Sequence, residues 1–293
     1  NHYLTPDTDS FDSPDEYIIQ LIETLKNTPK HIIKRDEFGT VESEIRSPIA
    51  FLFATLSLDR EGFMTKGTAY SYRQKSDVDK TGFVHPDPKP SFFNLRALVT
   101  KIGFYLKRKG LLVTTAQEFQ HDFLMAQNTR LKILTPPIEP ILAAASNNKP
   151  DLLQEYFIPL RQMPEFLNYV KEVFSNNGVI LSNASLRFIP KASNSSLLTY
   201  ESATQDQLAI VLYFSLKLSQ KDIAEAKVWT QKLVDKSIAL KGRYYLPYQE
   251  WPSKEQFKQA YPNYTIFKER KMAEDPNEVF SNKFYQYYFN QSI

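Results

Sequence analysis

Two glutamates stand out among the charged groups. Glu139 lies in Pro137-Ile138-Glu139-Pro140 and Glu155 in Leu153-Gln154-Glu155-Tyr156-Phe157, both among apolar neighbours. A carboxylate buried there must find a partner or raise its pKa. Structural pairing with an arginine is the expected outcome. The other close carboxylates, Asp36/Glu37 and Glu42/Glu44, read as solvated loop or strand surface. The four histidines, His2, His31, His85 and His121, never fall at the i,i+3 or i,i+4 spacing of a helical metal site, and no HExxH run occurs. His85 precedes Pro86 and Asp87 and reads as a solvated loop residue. With no cysteine, thiol nucleophiles, disulfides and thiolate metal sites are excluded. No Gly-x-Ser-x-Gly elbow is present.

Glycine supplies only 8 of 293 residues, and neither GxGxxG nor GxxxxGK[ST] occurs. The chain therefore lacks both common loops in which backbone closely approaches a phosphate. Aromatics are abundant, with 17 Tyr and 21 Phe. The formal charge of +3 is spread along the chain, which argues against a nucleic-acid footprint. The run Lys107-Arg108-Lys109 reads as the solvated end of a helix. No apolar run reaches the ~18 residues of a membrane span, and no secretory signal opens the chain. The chain starts at Asn1 and enters through a polar stretch, Asp7 to Asp15, so we expect a piece of a longer protein. Cytoplasm or a membrane periphery is the expected location.

The elements that must position these groups follow from periodicity. Ser13-Pro14-Asp15-Glu16 predicts a capped helix start. Strands are expected over Lys30–Lys34, Pro48–Leu58 and Phe63–Tyr72, the last two joined by the turn Asp59-Arg60-Glu61-Gly62. Helices are expected over Phe93–Lys109 and Ala116–Asn128, with irregular Pro-rich segments at Gly82–Pro90 and Thr135–Pro140. Further on come strand Leu152–Ile158, helix Met163–Phe174, strands Val179–Phe188 and Leu208–Leu218, helix Asp222–Leu240 and a short strand Arg243–Leu246. The tail Ser253–Asn290 is helical and aromatic. The strands outnumber what parallel βαβ units need. The fold class expected is α+β, an antiparallel sheet with helices on one face and a helical C-terminal tail.

Three segments carry a resemblance. They are Thr135-Pro136-Pro137-Ile138-Glu139-Pro140 followed by Leu153-Gln154-Glu155-Tyr156-Phe157-Ile158-Pro159; Gly242-Arg243-Tyr244-Tyr245-Leu246-Pro247-Tyr248; and Tyr261-Pro262, Phe267, Lys268 and Lys271 leading to Asp275-Pro276-Asn277-Glu278-Val279-Phe280. Their order and spacing resemble the C-terminal half of FAD-linked oxidases related to vanillyl-alcohol oxidase, the group that includes decaprenylphosphoryl-ribose oxidase and sugar-lactone oxidases. The resemblance covers about Thr135 to Tyr288.

It implies a fragment of a two-domain flavoenzyme: residues 1–243 as the substrate-binding cap, and 244–293 as a segment returning to an FAD-binding domain outside this chain. The implied activity is oxidation of a hydroxyl-bearing carbon of a sugar or sugar lactone, with FAD as cofactor and that domain as partner. The implied alternative is a binding module derived from the same fold, for a ligand or a protein. Carried over residue by residue, Tyr245 and Tyr248 would reach the flavin edge. Tyr248 and Arg187 would orient substrate or stabilise charge. Glu155, Tyr156, Val211 and Tyr213 would border the substrate. Of Glu155 and Tyr156 only one can face the cavity, because adjacent strand residues alternate sides. Tyr248 stands where the ribose-oxidase relatives carry a lysine. A tyrosine there donates a hydrogen bond but brings no charge at neutral pH.

Overall fold

The structure is a computed structural model. It describes residues 4–26, 33–35, 41–43, 49–74, 102, 118, 121, 122, 125, 133, 150–192 and 196–289. The chain divides into two compact units, Asn1–Ser146 and Asn147–Ile293. Both are α+β with antiparallel strands.

The first unit opens with strand β1 (Leu4–Phe11) and helix α1 (Pro14–Lys26). Two short strands, β2 (Ile33–Arg35) and β3 (Val41–Ser43), pair with each other. β4 (Ile49–Leu56) and β5 (Gly67–Gln74) form an antiparallel pair, and β1 adds to the free side of β5. The N-terminal polar stretch is thus largely a strand. Pro6 and two aspartates, Asp7 and Asp9, are tolerated because β1 is paired through β5 at the end of the strand order. α1 starts where expected, with Ser13 Oγ accepting from Glu16 N–H at 3.2 Å. The Glu16 carboxylate, however, accepts from Asp12 N–H at 2.7 Å rather than closing a capping box on Ser13. The core of this unit joins Leu4, Tyr70 and Tyr72 to Phe51, Phe53, Met125 and Ile133. The expected Phe93–Lys109 and Ala116–Asn128 helices and the Pro-rich segments lie outside the described residues, apart from isolated helical positions such as Ile102 and His121.

The second unit runs β6 (Asp151–Pro159), a short 3-10 turn, α2 (Met163–Asn176), β7 (Leu181–Ile189), β8 (Gln207–Ser215), α3 (Gln220–Ala239) and β9 (Arg243–Tyr244). The strand order is β7-β8-β6-β9. A βαββαβ chain with its third strand between the first two, and its fourth beside the first, is the ferredoxin-like arrangement. β6 and β7 both run antiparallel to β8 and so parallel to each other on either side of it, and α2 is the crossover that joins them. The tail adds α4 (Lys254–Ala260), α5 (Tyr264–Glu274) and α6 (Lys283–Tyr288). The boundary anticipated between 243 and 244 falls within β9, which pairs with β6 inside this unit.

Strand alternation sorts the side chains of this sheet. One face carries Gln154 and Tyr156 of β6 and Phe214 of β8, and it meets both α2 and α3. Tyr156 contacts Phe166 with ring centroids 5.2 Å apart, and Phe214 lies 5.3 Å from Trp229 and 6.2 Å from Phe174. Tyr156 Oη donates to Gln154 Oε1 at 2.7 Å, and Gln154 Nε2 donates to Thr230 Oγ1 at 2.7 Å, so these buried polar groups satisfy one another. The helices of this core are capped as their sequences require. Ser219 accepts from Asp222 N–H, and Ser253 with Gln256 forms a full capping box on α4.

Candidate functional site

The opposite face of the same sheet gathers most of the residues singled out from sequence. Glu155 of β6 stands directly across from Val211 of β8, which stands across from Ser185 of β7. One step along, Phe157, Ala209 and Arg187 form the next row. Residues directly opposite in an antiparallel pair share a face, so Glu155, Val211 and Arg187 lie on one surface. Val211 is buried and forms its floor.

The segment after α3 brings Tyr245 and Tyr248 to this surface. Gly242 permits the approach: a Cβ there would sit 2.6 Å from the Phe157 carbonyl oxygen and 2.7 Å from Ile158 Cδ1. Tyr244 then pairs with Tyr156 and turns into the core, while Tyr245 N–H donates to the Glu155 carbonyl at 2.9 Å. Tyr245 and Tyr248 meet edge to face with centroids 5.0 Å apart. Both are half-buried.

A further wall comes from Tyr200, in the long connection between β7 and β8. Its ring stacks on Phe157 at 4.0 Å and 12° and meets Tyr245 edge-on at 6.0 Å. Arg243 holds this connection in place. Its guanidinium donates to the Thr199 carbonyl at 2.8 Å, the Glu201 carbonyl at 2.7 Å and the Ala260 carbonyl at 3.0 Å. It also lies 5.8 Å from the Tyr261 ring centroid. One cation thereby ties the Tyr200 segment, β9 and the end of α4 together. Nothing in the sequence marks Tyr200: it sits in a Ser/Asn-rich stretch without periodicity, and its partner Phe157 is 43 positions earlier.

The electrostatics centre on Glu155. Burial raises its pKa, and the charge of Arg187 opposes that rise. No hydrogen bond from the described residues stabilises the carboxylate. Burial pushes the Tyr248 hydroxyl up to about 12, with the charge of Glu155 adding to the shift and Arg187 opposing it. Burial likewise raises Tyr200, followed by the nearby charges of Glu201 and Glu155. Tyr200 and Tyr248 are therefore neutral donors across the physiological range.

One of the expected site residues is placed on the other face. Tyr156 lies on the helix-facing side, 1% exposed, and packs on Phe166. Alternation gives the outer face to Glu155 instead. Tyr213 shares the outer face but uses its hydroxyl on Asp151, donating to Oδ2 at 3.2 Å, while Ser215 Oγ donates to Oδ1 at 2.6 Å. It forms the far end of the surface rather than part of the Glu155 group. Glu139 and His85 lie outside the described residues.

Two hollows lie elsewhere. One of about 430 Å³ in the first unit is bordered by Thr55, Asp59, Lys66, Glu118, Asp122 and a hydrogen-bonded pair, Tyr70 Oη and His121 Nδ1, 3.0 Å apart. One of about 220 Å³ in the second unit lies between the α2–β7 turn and α3. Neither is lined by Glu155 or Arg187. The Glu155 surface is an open face with an aromatic wall. Among the described residues no group of His, Asp and Glu is arranged to hold a metal ion, and no helix is long and apolar enough to cross a membrane. In comparisons with known proteins, no family model and no curated sequence matches the chain.

Proposed function

We propose that this chain is the substrate-binding part of an FAD-dependent oxidoreductase that oxidises a hydroxyl-bearing carbon of a sugar-like molecule. The observation that carries the reading is convergence. Glu155, Arg187, Val211, Tyr245 and Tyr248 come from four separate stretches of chain and meet on one face of one sheet. The resemblance assigns those same residues to substrate and flavin edge.

The residues fit the ring end of a flavin better than its phosphate end. Tyr200, Tyr245 and Tyr248, backed by the buried Phe157, offer a half-buried aromatic wall with hydroxyl donors at its rim, a surface suited to a planar heteroaromatic ring. Among the described residues the one glycine with positive φ is Gly178, in the α2–β7 turn. The diphosphate grip is therefore assigned to the partner FAD domain. When bound, the flavin supplies the hydride acceptor. Arg187 supplies positive charge toward developing oxyanion character, Tyr248 orients the substrate by a neutral hydrogen bond, and Val211 excludes water from the floor.

The test is spectroscopic. Riboflavin titrated into the chain should lose fluorescence on the aromatic wall, and Tyr248→Phe should weaken this less than Tyr245→Ala. Protein joined to its FAD domain should purify yellow. Colourless joined protein that also ignores added FAD would sink the reading. The second reading, a non-catalytic binding module, is favoured by the open form of the face and by a tyrosine where the ribose-oxidase relatives carry a lysine. It predicts ligand binding without flavin.

A further inference from the structure

We infer that the second unit docks on the second unit of another copy of this chain, with Val279 and Phe280 of one copy seated in the hollow between the α2–β7 turn and α3 of the next. The inference stands apart from the flavin reading and starts from exposure. Among the described residues of this unit, the exposed large hydrophobics fall mainly in two places. One is the turn between α5 and α6, and the other is the rim of that hollow.

The turn presents Val279 and Phe280 at 74% and 79% exposure. Its backbone is fixed from both helices. The Asp275 carboxylate accepts from the N–H groups of Val279 and Phe280, each at 2.9 Å, and pairs with Lys271 of α5. Glu278 holds a left-handed φ of 50°, and its carboxylate accepts from Tyr285 Oη of α6 at 2.8 Å. Neither anchor uses the side chain of Val279 or Phe280. Two adjacent apolar side chains are thus held out in water on a rigid support, as a docking contact requires.

The hollow is the matching socket. Its volume of about 220 Å³ is below the ~300 Å³ at which small-molecule pockets begin, and suits an inserted side chain. Phe214 and Trp229 form its base, with Val179, Ile180 and Leu216 around them. Ile180 is 43% exposed, and Leu218 and Val228, which flank the lining residues Lys217 and Trp229 in sequence, are each 54% exposed. Turn and hollow belong to one unit, yet Val279 and Phe280 stay in water, so the hollow that they enter is another copy's. Charge agrees. Two carboxylates, Asp222 and Glu225, line the hollow with one lysine, Lys217. At the turn, Asp275 and Glu278 are engaged by Lys271 and Tyr285, and Lys283 is exposed just beyond it. A basic residue beside the inserted ring meets an acidic rim. The contact is heterologous, because each copy offers one turn and one hollow. It is also small, so the dissociation constant should be on the order of 100 µM.

Sedimentation equilibrium of the whole chain tests this, over ~10 to ~500 µM at low salt. The average mass should climb above that of one chain across this range and fall back when salt is raised. Two variants are compared: Val279→Ser with Phe280→Ser, which removes the insert, and Ile180→Asp, which spoils the socket. All three positions are exposed or at the rim, and equal near-ultraviolet circular dichroism confirms that the variants fold. Each variant alone should remain monomeric at every concentration. Mixed in equal amounts, they should recover one-to-one pairs and nothing larger, because one keeps its hollow and the other its turn. A monomeric wild type overturns the inference. So does association that either variant leaves unchanged, or a mixture that stays monomeric. A wild type that is monomeric while the Val279/Phe280 variant loses affinity for a separately added FAD domain gives the turn to that domain, and overturns it too.

Discussion

Replacing Arg243 tests the architecture on which the site depends. Its guanidinium satisfies three carbonyls, those of Thr199, Glu201 and Ala260, within 2.7–3.0 Å. A charged donor is worth ~1.5–3 kcal/mol per hydrogen bond when buried, and about 1 kcal/mol where water can substitute. Arg243 is half-buried, so the lower figure applies, and three bonds come to ~3 kcal/mol. Loss of its contact with the Tyr261 ring adds ~0.5 kcal/mol. Arg243→Ala should therefore cost ~3–4 kcal/mol. Lysine, a point donor without the planar fork, should recover about one of the three bonds, leaving a loss of ~2 kcal/mol. Both tryptophans, Trp229 and Trp251, belong to the second unit, so urea unfolding followed by their fluorescence reports on it selectively. At a slope of ~2 kcal/mol/M the alanine variant should unfold at a midpoint lower by ~1.5–2 M. Hydrogen exchange should also quicken around Thr199–Ser202, where the clamp acts. A midpoint within ~0.3 M of wild type, with unchanged exchange there, would refute the claim that Arg243 holds the Tyr200 wall.

Three other outcomes follow from the same coordinates. Gly242→Ala places a methyl 2.6 Å from the Phe157 carbonyl oxygen, so it should cost ~1–3 kcal/mol in urea unfolding and weaken whatever binds Tyr245. Tyr156→Phe leaves Gln154 Oε1 without its 2.7 Å donor in the helix-facing core. It should lower stability by ~1–3 kcal/mol while leaving ligand or flavin affinity unchanged, and an affinity loss would contradict the placement of Tyr156. Asp275 accepts from the N–H groups of Val279 and Phe280 and pairs with Lys271. The Lys271 hydrogen bond, with those N–H groups, holds its carboxyl below the usual aspartate range. Its contribution is therefore fully present above the ordinary aspartate pKa and lost as pH falls through the depressed folded value. The Asp275–Phe280 turn should loosen under acid, as exchange of the Val279 and Phe280 amides would show, and Asp275→Asn should loosen it at every pH.

Legibility was uneven, and the reasons are physical. Residues 151–159, 163–176 and 220–239 form the expected strand and helices, because their apolar periods match one buried face each. β1 escaped because Pro6 and two aspartates hide a strand whose stability comes from pairing with β5, a non-local partner. The hairpin between β4 and β5 is longer than its four-residue turn signal: Asp59 Oδ1 accepts from Gly62 N–H at 2.6 Å, and the loop continues to Lys66 before pairing starts at Gly67. Glu155 and Tyr156 could not be told apart by composition. The side each takes depends on where α2 and α3 pack.

What the sequence determined by itself was the menu. With no cysteine and no glycine-rich phosphate loop, whole classes of chemistry were excluded, and the alternation and helical periods implied an antiparallel α+β sheet. What only the tertiary structure decided was adjacency. Glu155, Arg187, Tyr200 and Tyr248 are 13 to 93 positions apart in the chain and share a surface because β8 inserts between β6 and β7. Periodicity reports which way a side chain points relative to its own backbone. The partner it then faces depends on strand order, register and a single clamping arginine, which are properties of chain closure rather than of local sequence.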